Sequence, residues 1–245
     1  MCIRDRTLLG QVAIAQHGEP LARFRSQTEI ALLVYLAQTG QTHSREAVAD
    51  LLWDASSTAQ SLSNLRTALT RLRAHTADEL LVTRKTIAMR PERRQAVDSV
   101  RLQSDLQAIG APESPAAAQR LAAALRLYQG DFLAGFYLPG ARRFNEWVVV
   151  EQEHLRQQVI AGLQRLITYA LERPDPPLGI AAARQWLAID ELSETAHAQL
   201  IHLLALNGQV TAALAQGTRL VRLLGDELGI PPQPATVQLV ERING

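Results

Sequence analysis

The sequence predicts a mainly α protein in two units, with small β elements confined to the part before Val97. Three observations carry this. Apolar residues recur at helical spacing along most of the chain from Ser26 onward. Short strand-like runs bounded by turn residues occur only ahead of Val97, and the balance of charge reverses near the same point.

With 245 residues and 47% apolar content, the chain is long enough for two cores. The net charge of +1 conceals a division: residues 1–97 carry 13 Arg and Lys against 9 Asp and Glu, and residues 98–245 carry 12 against 15. Most of the excess lies between Asn64 and Arg94, where a polyanion would be attracted. No apolar run approaches membrane-spanning length, and no leader pattern opens the chain, so a cytoplasmic location and no membrane partner are expected. Cys2 is the only cysteine, which excludes an internal disulfide or a Cys-rich zinc site. Met1 to Arg6 is given no structural role.

From Thr7 to Arg25, short apolar stretches interrupted by Gly10 and by His17 to Pro20 suggest two or three strands. Ser26 and Glu29 then form a capping box before Ile30, Leu33, Val34 and Ala37, and Gly40 ends that helix. Ser44 caps a second short helix that ends near Trp53. A third helix starts near Ser57 and runs to about His75, with Leu62, Leu65, Leu69 and Leu72 as its buried stripe. Opposite that stripe lie Gln60, Ser63, Asn64, Thr67, Arg71 and Ala74, with Arg66 and Arg73 on one flank nearer the buried edge. Leu80 to Thr83 and Ile87 to Met89 flank Arg84–Lys85–Thr86, a two-stranded ribbon with a basic tip.

Beyond Val97 only helices are expected. They cover the Leu102 to Leu106 region, Ala116 to Tyr128, Phe144 to Glu172, Gly179 to Ala188, Ser193 to Asn207 and Gln209 to Leu224, with a short segment after Pro234. Pairs joined by tight turns suggest an antiparallel array of helical repeats of irregular spacing. Trp147, Trp186 and Tyr128 lie among periodic aliphatic residues and are expected in its core.

Strands, three helices and a basic hairpin in this order resemble a winged helix of the OmpR/PhoB type. SREAVADLLW (Ser44 to Trp53) and SLSNLRTALTRLR (Ser61 to Arg73) are similar to the DNA-binding domain of SARP-type regulators. YQGDFLAGFY (Tyr128 to Tyr137), FNEWVVVEQEHLR (Phe144 to Arg156), LAIDELSETAHAQLI (Leu187 to Ile201) and LLGDELGIPP (Leu223 to Pro232) resemble their bacterial transcriptional activator domain. The resemblance runs from about Leu8 to Ile243. It implies a winged helix-turn-helix domain over residues 7–97, followed by an all-α, tetratricopeptide-like domain over residues 98–245. Two departures stand out. Gly217 replaces the aromatic usual inside the last long helix, at a cost of about 1 kcal/mol relative to alanine, so a loose last repeat is expected. No GxxxxGK follows, although such regulators often carry a nucleotide-binding domain downstream.

The function implied is a sequence-specific, DNA-binding transcription regulator that activates by recruiting RNA polymerase, with the helical half also pairing two copies into a homodimer. In a winged helix the third helix enters the major groove of double-stranded DNA. Arg71 is then placed for a guanine edge and Asn64 for an adenine, with Ser63 and Thr67 short enough to let the backbone approach. Arg66 and Arg73 suit phosphates, as do Arg84 and Lys85 on the wing. Ser44 and Arg45 do so at the start of helix two, where free backbone N–H groups favour an anion.

The alternative is a helical-repeat signalling scaffold whose winged helix meets proteins instead of DNA. An enzyme is not expected. His17, His43, His75, His154, His197 and His202 form no H-E-x-x-H, His197 and His202 do not share a helix face, and no G-x-S-x-G occurs. No cofactor and no metal are expected.

Overall fold

The computed structural model describes residues 4–16, 19–20, 26–76, 79–173 and 175–245. His17 and Gly18 of the expected first turn, residues 21–25, Cys2 and Asp78 lie outside the described residues. Packing groups Met1–Asp105 with Leu127–Leu155, and Leu106–Arg126 with Arg156–Gly245. The boundary expected after Val97 marks a change in element type, whereas compactness places Asp98–Asp105 and Leu127–Leu155 with the N-terminal elements.

The first unit opens with an antiparallel sheet of β1 (Arg4–Thr7), β2 (Ala13–Gln16) and β3 (Glu19–Pro20), so part of the opening hexapeptide is structured after all. Three helices follow: α1 (Gln27–Thr39), α2 (Arg45–Leu52) and α3 (Thr58–Thr76). Each start has the expected cap, with Ser26, Ser44 and Ser57 hydroxyls accepting from the N–H groups of Glu29, Ala47 and Gln60. The second sheet has three strands where two were expected. Between β5 (Leu80–Val82) and β4 (His43–Ser44) lies β6 (Thr86–Met89), with His43 opposite Ile87 and Ser44 opposite Thr86. A two-residue strand carries no alternation by which a sequence could announce it.

A short α4 (Pro91–Arg94) leads into α5 (Asp98–Ile109). Here side chains complete the backbone hydrogen bonding that the regular elements leave open. Arg94 donates to the Ala37 and Gln38 carbonyls at the end of α1 (2.8 and 3.2 Å), which removes it from the expected basic surface. Asp98 accepts from the N–H groups of Leu8, Leu9 and Ser99 at 2.8, 3.1 and 2.7 Å. The Leu8 to Gly10 segment then bonds to Asp131, Leu133 and Ala134, which explains part of the YQGDFLAGFY motif. A Cβ on Gly130 would lie 3.2 Å from the Gly10 backbone, so the two segments approach closely because Gly130 has no side chain, while Gly10 takes a positive φ of 102° that favours glycine.

The polar centre of this unit is Gln38. Its amide nitrogen donates to Gln103 (2.9 Å) and Glu151 (2.7 Å), and its oxygen accepts from Ser99 (2.7 Å), tying α1 to α5 and to the start of the 31-residue α7 (Arg142–Glu172). Around it, Tyr35, Phe132, Phe144 and Trp147 meet edge-on or tilted at 5.0 to 5.9 Å between centroids. Trp147 is half-buried, whereas Tyr128 is buried as expected.

The second unit is a helical array: α6 (Pro115–Leu125), the remainder of α7, α8 (Pro176–Ile189), α9 (Glu194–Leu206), α10 (Val210–Leu228) and α11 (Pro234–Asn244). From α8 onward each helix packs on the next. Trp186 is buried as expected. Side chains again cap helix ends: Arg165 bonds the Leu106 and Gly110 carbonyls, Gln185 that of Leu125 and Arg156 that of Ile189. Gly217 corrects an expectation. It is buried, and a Cβ there would stand 2.9 Å from a Val240 methyl, so the missing side chain is what lets α11 close onto α10. Val240, half-buried, stands over this position, and Thr236 is the buried residue of α11, so the last pair meets closely at Gly217 while most of α11 stays exposed.

His197 is buried at 2% exposure on α9. Its Nε2 donates to the Glu191 carbonyl (2.9 Å), leaving Nδ1 to accept from the Gln216 amide (2.6 Å). Burial lowers its pKa from the usual histidine range, and His43, whose Nε2 meets Thr39 Oγ1 at 2.7 Å, is lowered for the same reason. A base with a depressed folded pKa stabilises the fold above its unfolded value, near 6.5, and loses that contribution as pH falls through the folded value. The melting temperature is therefore expected to fall as pH drops below about 6.5, and His197→Gln should remove part of that acid limb. An unchanged limb in the variant would mean that His197 titrates alike in both states. In the first unit, Asp98→Ala should cost about 2 kcal/mol in denaturant unfolding because it strands three N–H donors; loss of under about 0.5 kcal/mol would show that water replaces the carboxylate.

Candidate nucleic-acid interface

The face that α3 presents follows from the face it buries. Leu65, Leu69 and Leu72 are buried as expected, but so are Ser61 and Ala68, while Leu62 is half-buried. Ser61 tolerates burial because its hydroxyl donates to the Thr58 carbonyl at 3.0 Å. At about 100° per residue, including these two turns the buried direction by roughly 40° from the leucine stripe. Ser63, Thr67 and Thr70 then occupy the centre of the outward face. Arg66 and Arg71 stand on opposite flanks at similar angles, with Arg73 beyond Arg66. The placing of Arg66 near the buried edge and Arg71 at the centre is thereby corrected, and Thr70 is a face residue that the leucine spacing did not reveal.

All six of these side chains are exposed. Thr67 and Thr70 donate their hydroxyl protons to the Ser63 and Arg66 carbonyls (3.2 and 2.9 Å), one turn back on the same helix. Asn64 is half-buried, and its side-chain oxygen accepts from Gln60 at 2.9 Å. That bond uses one of the two lone pairs of the oxygen and fixes the orientation in which the amide could meet an adenine edge.

The expected wing residues are brought together with the start of α2. The turn between β5 and β6 is organised by Thr83: its hydroxyl accepts from the N–H groups of Lys85 (3.2 Å) and Thr86 (2.9 Å), and its own N–H donates to the Thr86 carbonyl (2.9 Å). This is a serine/threonine turn, which is why a tip lacking Asn-Gly still forms a tight hairpin. Arg84 and Lys85 are exposed on it. The Lys85 carbonyl accepts the Arg45 N–H (2.9 Å), and the Arg45 guanidinium reaches the Thr83 carbonyl (3.4 Å).

That geometry corrects the anion site expected at the start of α2. The Arg45 N–H is taken by the wing and the Ala47 N–H by the Ser44 hydroxyl, so these donors already have partners. The exposed Ser44 hydroxyl and the half-buried Arg45 side chain are what this end offers. Among the described residues, Arg66, Arg71, Arg73, Arg84 and Lys85 form no ion pair with a carboxylate. The surface can therefore do one thing well chemically, which is to present unneutralised cations around a strip of short side chains.

Among the described residues no helix is long and apolar enough to cross a membrane, and no group of His, Cys, Asp and Glu is arranged to hold a metal ion. Residues 92–244 match the family described as the bacterial transcriptional activator domain. Over 245 residues the chain is 29% identical to the regulatory protein AfsR of Streptomyces coelicolor, covering 96% of this chain and 24% of AfsR. Against AfsR of Streptomyces griseus it is 28% identical, covering 97% and 24%. The chain thus spans about a quarter of the length of these relatives. A solved structure of Mycobacterium tuberculosis EmbR, in complex with a low affinity phosphopeptide, shares the fold at a TM-score of 0.69 and 20% identity, covering all of this chain and 65% of that one. The architecture is accordingly a winged helix-turn-helix followed by a tetratricopeptide-like helical domain.

Thr83 gives the wing its shape, so Thr83→Val, which keeps the branching and removes the hydroxyl, is expected to speed amide exchange at Lys85 and Thr86 about tenfold or more. Exchange unchanged at both amides would show that β-sheet pairing alone holds the turn.

Proposed function

We propose that this chain, which belongs to the bacterial transcriptional activator domain family of SARP-type regulators, binds specific sequences of double-stranded DNA and regulates transcription from them. The observation that carries the reading is the outward face of α3, with Arg66 and Arg71 flanking Ser63, Thr67 and Thr70 and, among the described residues, no carboxylate neutralising them. A major groove about 12 Å wide admits one helix, and short residues at the centre of the face let its backbone come close. With their hydroxyl protons turned to the helix, Thr67 and Thr70 offer methyl groups, which suit the thymine methyl. Arg66 and Arg71 are the guanine readers by this account. Arg73, Arg84, Lys85, Ser44 and Arg45 position the protein on phosphates, and Asn64 is a supporting contact that Gln60 holds in place.

Residues 7–97 form the DNA-binding part and residues 98–245 the activator part in this reading. By family resemblance the activator part pairs two copies and recruits RNA polymerase, and the site of action is the cytoplasm. A catalytic role has no place in it.

Selection of bound sequences from random duplexes supplies the site for the test. Arg66→Ala and Arg71→Ala are each expected to cost about 1–3 kcal/mol on that site and to relax preference at one base pair. Arg84→Ala should weaken preferred and random duplexes alike, and reduce the slope of log affinity against log salt by about one unit. Wild-type affinity and salt slope in all three folded variants would remove the helix-in-groove account and favour the scaffold that meets proteins.

A further inference from the structure

The first turn of α7 meets α2 and the connection after it through a single residue. The Arg143 guanidinium pairs with the Asp50 carboxylate on α2, and the Arg143 backbone N–H donates to Asp54 at 3.1 Å. Asp50 and Asp54 lie on either side of the end of α2 at Leu52, so one arginine grips both the helix and the chain leaving it. A carboxylate on a first-turn N–H also has the favourable sign for the dipole of a 31-residue helix.

The connection over residues 53–57 has little other support. Ser56 bonds back to Trp53 within it (3.0 Å), and Ala55, Ser56 and Ser57 are exposed. Asp54 and Ala55 border an open cleft of about 650 Å³ lined across from them by Tyr137, Arg142 and Val149. At the end of the connection Ser57 caps α3 through the Gln60 N–H, so the connection decides where the first turn of α3 begins.

We propose that Arg143 is a positioning residue for sequence recognition: its guanidinium, by holding Asp50 beside the main-chain N–H that meets Asp54 and that every substitution but proline keeps, fixes the direction in which α3 leaves α2. The inference rests on the DNA-binding reading above. Fold stability is not what the contact supplies, since the paired side chains are 51% and 57% exposed and such pairs contribute little. Bidentate base contacts tolerate only small displacements of the helix that bears them, whereas phosphate contacts from the wing are indifferent to them.

The test uses the full chain as wild type, Arg143→Ala, Arg143→Lys and the charge exchange Asp50→Arg with Arg143→Asp. Binding is measured to a selected duplex and to a random one, alongside amide exchange over residues 54–57 without DNA. Arg143→Ala is expected to melt as the wild type does, to lose about tenfold on the selected duplex, as for one base contact, to keep its affinity for the random one, and to exchange faster at 54–57. Arg143→Lys and the charge exchange should recover the selected site. If Arg143→Ala melts lower, Asp50→Asn, which removes the same pair from the α2 side, carries the comparison with the same expected loss on the selected duplex. Wild-type behaviour of Arg143→Ala on both duplexes, or an equal loss on both, overturns the proposal. A wild-type protein that does not distinguish the duplexes overturns the DNA reading and the recognition role with it, while the exchange rates still report whether Arg143 holds the connection.

Discussion

The burial of one face of α3 governs what the first unit can offer to a partner. Leu65, Leu69 and Leu72 each contribute about 1.5–3 kcal/mol by leaving water, several times what an exposed charge pair supplies. No arrangement of the outward arginines could therefore rotate the helix against that preference. Ser61 and Ala68 complete the buried face, and their inclusion places Thr70 beside Ser63 and Thr67 with an arginine on either flank. The chemistry of the interface is thus a remainder: it is whatever α3 carries on the side that packing leaves over.

Within each unit, the ends of elements are closed by side chains that look, in a linear reading, like surface charge. Arg94 caps α1, Arg165 caps α5, Arg156 caps α8, and Asp98 gathers three N–H groups that no strand or helix satisfies. A helix terminus leaves up to four backbone groups without a partner, and a long side chain from another element is an economical way to meet them. Arg66, Arg71, Arg73, Arg84 and Lys85 lie outside this scheme and meet no described carboxylate, a state they share with exposed arginines of the second unit such as Arg120, Arg184 and Arg222. Bonding removes Arg94, Arg156 and Arg165 from the candidate interface, and position on α3 and the wing, not the lack of a partner alone, marks out the five that remain there.

In the second unit the same economy works through absence. Gly217 gives up helix propensity and in return admits Val240 to the surface of α10. His197 spends both ring nitrogens on neighbours, one on the α8–α9 turn and one on α10, and burial lowers its pKa. Both join neighbouring helices of the array, His197 holding α9 to α10 and Gly217 admitting α11 to α10.

The sequence by itself determined the order and type of nearly all the elements. Periodicity and capping are local, so Ser26, Ser44, Ser57 and Ser193 announce their helices, Gly40 ends one, and the leucine spacing of α3 names most of its buried side. The family was equally legible in the motifs from Ser44 to Pro232. Only the tertiary structure decided the exact outward direction of α3, the occupation of the α2 donors by the wing, the third strand at His43–Ser44, the role of Gly217 and the placing of α7 on the α2–α3 connection. Each depends on a partner far away in the chain, or on a polar side chain such as Ser61 that becomes buriable once it bonds its own backbone. Local pattern reports the propensity of a residue, but which of its neighbours removes it from water is settled only when the distant elements pack.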